Sequence, residues 1–461
     1  MSSRETWIAD WNPEDTTFWE SKGKAIARRN LIYSIVAEHV GFSVWQIWSI
    51  VATNLAQAGF RYTTAELFQL VALPGLIGAL MRFPYTFAVP RFGGRNWTIV
   101  SAALLLVPTC LLAYFVTRPD TPFETMLLVA ATAGLGGGNF ASSMANISFF
   151  YPDRMKGWAL GLNAAGGNIG VSTVQLLAPI LMGFGIFNLY LATPVAGGIF
   201  LQNAGLMWLP LIVFAIWGSA RYMNNLANAR STFADQLAVT KRKHTWVMSW
   251  LYIGTFGSFI GYSAAFPLLI KTQFPGVTVV IAFLGPLVGS VARPFGGLLA
   301  DRIGGARVTL WNFVVMAAAT LGVMYAIEIK SFPAFLVMFL ALFVTTGVGN
   351  GSTFRMIPSI FREQKLRGAI GTGDERRAAA IKAAATESAA VIGFTSAIGA
   401  CGGYLIPRSF GASIAATGGP YLALEGFLLF YVSCIALTWW FYRRTSFLAE
   451  LSPTDLAQAR V

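Results

Sequence analysis

Residues 78–94 read GALMRFPYTFAVPRFGG and place one arginine, Arg82, in an apolar segment that otherwise carries no charge between Glu66 and Arg91. An arginine at membrane depth costs about 2.5–3.5 kcal/mol on insertion scales, so it usually faces a partner, a cavity or a substrate. The same spacing returns 211 residues later, where residues 289–305 read GSVARPFGGLLADRIGG and Arg293 takes the place of Arg82. The two stretches therefore predict a chain built from two related halves.

A second pair of motifs keeps the same offset. Gly136-Gly-Gly138-Asn139 pairs with Gly347-Val-Gly349-Asn350 at 211 residues. A repeat with a period of about half the chain is typical of secondary transporters, whose substrate sites lie where the repeats meet.

Composition indicates a polytopic membrane protein. Of 461 residues, 55% are apolar and only 11% are charged, and a span needs about 20 apolar residues. We expect an all-α membrane protein with twelve helices in two pseudo-symmetric halves. The predicted helices 1 to 12 cover residues 30–57, 65–91, 95–117, 123–151, 157–186, 203–224, 245–271, 277–301, 307–328, 332–361, 383–411 and 419–442. The predicted domains are a cytoplasmic leader (1–29), a six-helix bundle (30–224), a cytoplasmic linker (225–244), a second six-helix bundle (245–442) and a cytoplasmic tail (443–461).

The net charge of +13 does not predict a nucleic-acid partner. Of the 33 Lys and Arg residues, 25 lie on the tails and on the even-to-odd loops, and five lie on the opposite loops. This positive-inside bias places both termini in the cytoplasm and the chain in the cytoplasmic membrane. No soluble domain carries a basic patch, so lipid rather than nucleic acid is the expected environment.

Enzyme chemistry has little support in the sequence. Two histidines, three cysteines inside predicted spans and no phosphate-binding loop leave no catalytic set, no metal site and no cofactor. We expect a monomer that is not an enzyme. The leader carries five large apolar residues, Trp7, Ile8, Trp11, Phe18 and Trp19, which suit either contact with the inner membrane surface or a merely solvated leader.

Residues 297–307, GLLADRIGGAR, resemble the cytoplasmic loop motif of the major facilitator superfamily. In that superfamily the motif gates one conformation through charge contacts at the ends of neighbouring helices, which implies a gating role for Asp301. The first half departs from the motif, because Pro90 stands where the acidic residue is expected. The resemblance implies the major facilitator fold.

Three further stretches resemble the nitrate/nitrite porter family of the NarK and NarU type: NFASSMANISFFYP (139–152), ALGLNAAGGNIG (159–170) and GFTSAIGACGG (393–403). The resemblance implies nitrate and nitrite as substrates. It implies anion binding by Arg82, Arg293, Asn168 and Tyr252, with the rings of Phe140 and Phe256 above and below the anion. The same stretches supply small residues for helix packing and gating, namely Gly166, Gly167, Gly170, Gly399, Gly402 and Gly403.

The chemistry of arginine suits a planar anion. Its guanidinium stays protonated and presents a flat fork of donors, which matches an oxyanion better than the point charge of lysine does. The plainer alternative is that Arg82 and Arg293 snorkel or bind backbone carbonyls.

One departure from the sequence pattern of the nitrate/nitrite porter family concerns how transport is coupled to a second species. Helix 1 carries Glu38-His39, where family members regarded as nitrate/nitrite exchangers have no titratable residue. Both side chains are candidates for proton coupling. The alternative is that Glu38 simply binds a neighbouring helix, or lies near the membrane edge as the hydrogen-bond partner of His39. Inward movement of an anion costs about 2.3 kcal/mol per 100 mV, so uptake needs a proton or an exchanged anion. We therefore favour nitrate:proton symport, with nitrate/nitrite antiport as the alternative. Carriage of another small oxyanion, and an anion channel or sensor, remain further hypotheses.

Overall fold

The computed structural model describes residues 6–183, 198–227, 239–369 and 374–444. Helical segments follow one another along these residues: Thr16–Asn54 (helix 1), Thr64–Phe92 (helix 2), Gly94–Phe115 (helix 3), Phe123–Thr132 and Leu135–Phe150 (helix 4), Asp153–Gly183 (helix 5), Asn203–Tyr222 (helix 6), Lys243–Gln273 (helix 7), Val279–Ile303 (helix 8), Gly305–Glu328 (helix 9), Phe332–Arg367 (helix 10), Asp374–Ala400 and Gly402–Thr417 (helix 11), and Tyr421–Tyr442 (helix 12). Eleven helices within the described residues are long and apolar enough to cross a membrane. Helix 4 is not among these eleven, because a turn interrupts it at Ala133 and Gly134.

Helix ends follow local signals in the sequence. Thr63 begins helix 2 with a capping box: its side chain accepts from the Glu66 backbone N–H at 3.3 Å, and Glu66 Oε2 accepts from the Thr63 backbone N–H at 2.7 Å. Helices 2 and 8 both end at a glycine in the left-handed region, Gly93 at φ 87° and Gly304 at φ 92°. These glycines are 211 residues apart, so the repeated motif produces the same helix end twice.

The leader is an ordered part of the first half. Trp7–Ile8 forms a two-residue parallel strand pair with Asn225–Leu226, which follow helix 6. Asp15 caps helix 1 by accepting from the backbone N–H groups of Thr17 and Phe18. Helix 1 therefore begins at Thr16, whereas we predicted that it begins at residue 30.

Two leader tryptophans are buried against the junction of helices 4 and 5. The ring of Trp11 lies edge-on to Phe150 at 5.3 Å, and the ring of Trp19 lies 5.6 Å from Tyr151. Trp7 remains 44% exposed. The leader thus docks on the protein itself, which neither of our two expectations for these tryptophans included.

By backbone contacts the chain separates into two compact units. The first unit contains Met1–Ser231 together with Gly261–Leu287 and Gly403–Gly418, and the second contains Thr232–Ile260, Val288–Gly402 and Gly419–Val461. This division describes contacts, whereas our predicted domains follow the sequence repeat and stay a prediction.

Within the first unit, parts of helices 7, 8 and 11 pack on helices 2 and 5. Gln175 Nε2 donates to the Ser263 carbonyl at 2.7 Å, and Ser172 Oγ donates to the Phe283 carbonyl at 2.9 Å. A Cβ on Gly75 would lie 2.3 Å from the carbonyl carbon of Gly403. Small residues therefore let helices 2 and 11 touch backbone to backbone.

In the second unit, ion pairs join the ends of helices. Asp301 pairs with Arg355 between helices 8 and 10. Glu387 on helix 11 binds Arg242 Nε at 2.6 Å and Lys365 Nζ at 2.9 Å. At 36 residues, helix 10 rises about 54 Å and is longer than a bilayer core of about 30 Å.

Candidate functional site

Arg82 is fully buried in the first unit, where helices 1, 2 and 4 meet. Its Nε donates to the Gly137 carbonyl at 3.3 Å. Its guanidinium carbon lies 4.6 Å from the centre of the Phe140 ring and 5.5 Å from the Trp45 ring. Aromatic faces attract a cation, so the guanidinium is held in one orientation by a carbonyl and two rings.

Glycine makes this arrangement possible. A Cβ on Gly137 would lie 2.7 Å from the Gly78 Cα, and a Cβ on Gly78 would lie 2.4 Å from Trp45 Nε1. Trp45 Nε1 donates to the Pro74 carbonyl at 2.7 Å, which fixes the indole. Gly78 on helix 2 and Gly137 on helix 4 thus bring the two helices close enough for Arg82 to reach helix 4.

Arg293 is also buried, in the second unit. Its guanidinium carbon lies 5.6 Å from the Phe354 ring on helix 10. Phe354 lies 6.5 Å from Tyr252, and Tyr252 stacks on Phe256 at 5.4 Å with 20° between the rings. The structure therefore brings three of the predicted site residues of this half, Arg293, Tyr252 and Phe256, into one aromatic cluster.

The second unit repeats the close packing of the first. A Cβ on Gly347 would lie 2.1 Å from the Gly289 carbonyl, and a Cβ on Gly351 would lie 2.2 Å from the Arg293 carbonyl. Helices 8 and 10 consequently meet as helices 2 and 4 do, and each pair holds one buried arginine.

Sequence reasoning missed Trp45 and Phe354. Trp45 stands 211 residues before Phe256, so the repeat offset could have identified it. The residue that stands 211 positions before Phe354 is Ser143, which is not aromatic, and no repeat signal identifies Phe354.

Glu38 lies in a polar cluster at the meeting point of helices 1, 4 and 5. Its Oε2 accepts from Ser143 Oγ at 2.6 Å and from Asn163 Nδ2 at 2.7 Å. Ser34 Oγ lies 2.9 Å from Ser143 Oγ. The carboxyl is fully buried, so these donors offset part of the cost of removing it from water.

His39, the second candidate for proton coupling, lies on a different face of helix 1. Its Nδ1 is 3.0 Å from the Gly166 carbonyl on helix 5. Glu38 therefore does not serve as the hydrogen-bond partner of His39 through this nitrogen.

The predicted packing glycines lie at close contacts. In the first unit, a Cβ on Gly166 would lie 2.5 Å from Ile35, one on Gly167 2.4 Å from Glu38 Oε1, and one on Gly170 2.3 Å from the His39 carbonyl. In the second unit, a Cβ on Gly399 would lie 2.5 Å from the Tyr252 ring, and one on Gly402 2.4 Å from the Gly257 Cα.

Asn168, the predicted helix 5 ligand, is 1% exposed. Within the described ranges its Oδ1 has no hydrogen-bond partner. A buried polar atom of this kind usually meets a ligand or water.

Comparison with known proteins adds to this geometry. Residues 33–373 match the Major Facilitator Superfamily. The nitrate/nitrite transporter NarU of Salmonella typhimurium is 47% identical over 450 residues, which cover 95% of this chain and 96% of that protein. The probable nitrate/nitrite antiporter NarK2 of Thermus thermophilus is 37% identical over 459 residues, covering 96% of this chain and 98% of that protein.

A solved structure agrees with the helical architecture. The partially occluded, inward-open xylose transporter XylE from E. coli has a TM-score of 0.62 and 11% sequence identity, and covers 91% of this chain and 98% of its own. At that identity the likeness concerns the fold alone.

Proposed function

Because this chain belongs to the nitrate/nitrite porter family of the major facilitator superfamily, we propose that it carries nitrate and nitrite across the cytoplasmic membrane by alternating access. Membership confirms the predicted all-α fold and a transporter rather than an enzyme. The cytoplasmic location of both termini rests on the positive-inside distribution of Lys and Arg.

The observation that carries the anion proposal is the Arg82 cluster. A buried guanidinium held by Gly137 and by the Phe140 and Trp45 rings has its orientation fixed by the protein. Preorganised donors lose little entropy on binding. The planar fork of arginine favours a small planar anion that takes two parallel hydrogen bonds. Arg293 and Tyr252 are proposed to contribute the same chemistry from the second unit, and Asn168 a side-chain amide from the first.

The cost of moving an anion inward requires a coupled species. We propose that this species is a proton carried by Glu38. Arg82 binds helix 4 at Gly137 and Glu38 binds it at Ser143. Gly137 and Ser143 are six residues apart, a rise of about 9 Å along helix 4. For a charge separation of about that size, opposite charges attract by about 1.5–2 kcal/mol at an effective dielectric constant of 20.

This attraction links the two ligands. A nitrate on Arg82 offsets the positive charge that helps to keep Glu38 ionised, so nitrate binding favours protonation of Glu38. Coupling is reciprocal, so protonation of Glu38 tightens nitrate binding by the same factor, about tenfold for 1.4 kcal/mol.

The carboxylate of Glu38 has no equivalent at the corresponding position of the second half. The residue 211 positions after Glu38 is Ser249, whose Oγ lies 3.2 Å from Thr395 Oγ1. A group needed merely to pack the repeated fold would be expected in both halves. Its presence in one half supports a role in coupling rather than in packing.

Nitrate/nitrite antiport is the second candidate. The observation that favours it is the buried arginine in each unit, because a buried cation is costly until a bound anion neutralises part of its charge. Exchange of one anion for another then needs no titratable group.

Proteoliposomes distinguish the two modes. Nitrate uptake is measured with an imposed inward proton gradient and, separately, with vesicles preloaded with nitrite at equal pH. Symport predicts uptake driven by the proton gradient alone, and predicts that Glu38→Gln abolishes it. If uptake requires internal nitrite and ignores the gradient, the chain is an antiporter. Competition by other anions tests the substrate class.

A further inference from the structure

A small pocket lies beside Glu38 in the first unit, among helices 1, 3 and 4. Its lining residues are Ser34, Ala37, Glu38, Thr98, Ser101, Asn139, Ser142 and Ser143. The space open to the centre of a water-sized sphere is about 10 Å³, which is room for about one water molecule.

Three hydroxyl groups of this pocket donate their protons to carbonyls of their own helices. Thr98 Oγ1 donates to the Gly94 carbonyl at 2.8 Å, and Ser101 Oγ donates to the Thr98 carbonyl at 3.3 Å. Ser142 Oγ donates to the Asn139 carbonyl at 3.2 Å. These three oxygens therefore offer lone pairs, not protons, to an occupant.

Asn139 adds another acceptor. Its side chain is 3% exposed, and its Oδ1 has no hydrogen-bond partner in the part of the chain that the structure describes. Its Nδ2 points to the Ala37 carbonyl at 3.5 Å, which leaves Oδ1 as the group that an occupant would meet. A pocket walled by acceptors and a carboxyl suits a hydrogen-bond donor and repels an anion.

Two donors bind the Glu38 carboxyl group, and one of them, Ser143, also lines the pocket. Ser143 and Asn163 both donate to Oε2 and fix the carboxyl in place. The cluster thus has a held oxygen and a pocket from which a proton can arrive.

Charged and titratable groups also occur on the helices that pack around Glu38. His39 adjoins it on helix 1 and binds Gly166 on helix 5. Arg82 reaches helix 4 from helix 2. Helix 6 packs on helix 1 through the stacked rings of Tyr33 and Tyr222, and its charged residue, Arg221, adjoins that contact.

We propose that this pocket is a proton-entry site, in which one water molecule held by Asn139 passes the coupling proton to Glu38. In the transfer, hydronium gives one proton to the carboxylate, which leaves neutral water and a neutral carboxylic acid, and bulk water resupplies the proton. The proposal rests on the proton symport proposed above and adds the residue and the route by which the proton arrives.

Two transport modes of reconstituted protein test it. Proton-driven nitrate uptake needs Glu38 to load and release a proton in every cycle, whereas exchange of labelled for unlabelled nitrate at equal pH moves no net proton. We expect Asn139→Leu to lower proton-driven uptake at least tenfold and to leave exchange within twofold of wild type. Retained exchange also shows that the variant folds. Ser148→Ala is the matched control, because Ser148 Oγ likewise donates to its own helix, at the Ala145 carbonyl, and should change neither mode.

A second variant keeps the test decisive if Asn139→Leu fails to fold. Thr98→Val preserves shape and removes one acceptor, and should lower proton-driven uptake about threefold while sparing exchange. Equal losses in both modes, or no loss in either, for a folded variant would overturn the entry site. If wild-type protein itself ignores the proton gradient, the symport proposal fails and the entry site fails with it. A wild-type response that neither variant alters refutes the entry site alone.

Discussion

Replacement of Arg82 by lysine separates charge from geometry at the proposed anion site. Lysine keeps the positive charge but loses the planar fork, the Nε donor to Gly137 at 3.3 Å and the flat contact with Phe140 at 4.6 Å. A planar anion that takes two parallel hydrogen bonds from arginine takes one from lysine. Loss of one charge-assisted hydrogen bond costs about 1.5–3 kcal/mol, which corresponds to roughly 10- to 150-fold in affinity.

Isothermal titration of nitrate into purified protein measures this loss directly. Arg91→Lys is the matched control, because Arg91 lies on the same helix but is exposed, and its affinity for nitrate should equal that of wild type. Nitrate affinity within threefold of wild type in a folded Arg82→Lys protein would refute the idea that the fork binds the anion. Equal losses in the control would indicate a general effect of replacing arginine by lysine on this helix rather than loss of the Arg82 fork.

Further variants test the surroundings of the site. Ser143→Ala removes a hydrogen-bond donor from the Glu38 carboxyl group, a loss of about 1 kcal/mol, so proton-driven uptake should fall about fivefold. A Cβ on Gly167 would lie 2.4 Å from Glu38 Oε1, so Gly167→Ala should impair uptake, whereas Gly161→Ala, with no atom within 4 Å of its Cβ, should not; equal uptake by the two variants would count against this packing. Trp11→Ala should lower the free energy of unfolding by about 3–5 kcal/mol and should lower the midpoint of thermal unfolding.

The control for the leader variant is Trp7→Ala. Trp7 is 44% exposed whereas Trp11 is 5% exposed, so its loss should leave the unfolding midpoint almost unchanged. Equal effects of the two substitutions would contradict a leader that stabilises the first half by burial.

The repeat in the sequence predicted more of the architecture than any single helix did. The glycine that closes the Arg82 motif and the one that closes the Arg293 motif both have the positive φ that ends a helix. Backbone conformation at such a position depends on the residue itself, since only glycine adopts it at little cost. Local chemistry of this kind can be predicted from sequence.

Contacts between helices could not be predicted in the same way. A helix in lipid is apolar on the face that meets the bilayer as well as on the face that packs, so periodicity does not show which side meets a neighbour. The contact of Trp45 with Arg82 and that of Phe354 with Arg293 depend on helix rotation. The partners of Glu38 depend on it too, because Ser143 and Asn163 come from two different helices.

The position of the leader is a further feature that the sequence did not predict. Its tryptophans predicted a surface preference, but burial depends on where residues 150–153 and 225–226 lie in space. Glu14 Oε1 accepts from the Asp153 backbone N–H at 2.7 Å, a contact between residues 139 positions apart. No local pattern encodes that distance.

The central claim is that nitrate binding and protonation of Glu38 are linked. Proton uptake on addition of nitrate to weakly buffered, purified protein, followed with a pH indicator, tests it without any membrane gradient. We predict uptake of up to one proton per bound nitrate, strongest near the midpoint of the pH profile. Glu38→Gln should bind nitrate and take up none. Nitrate binding by wild-type protein with no change in bound protons across the pH range would contradict the claim.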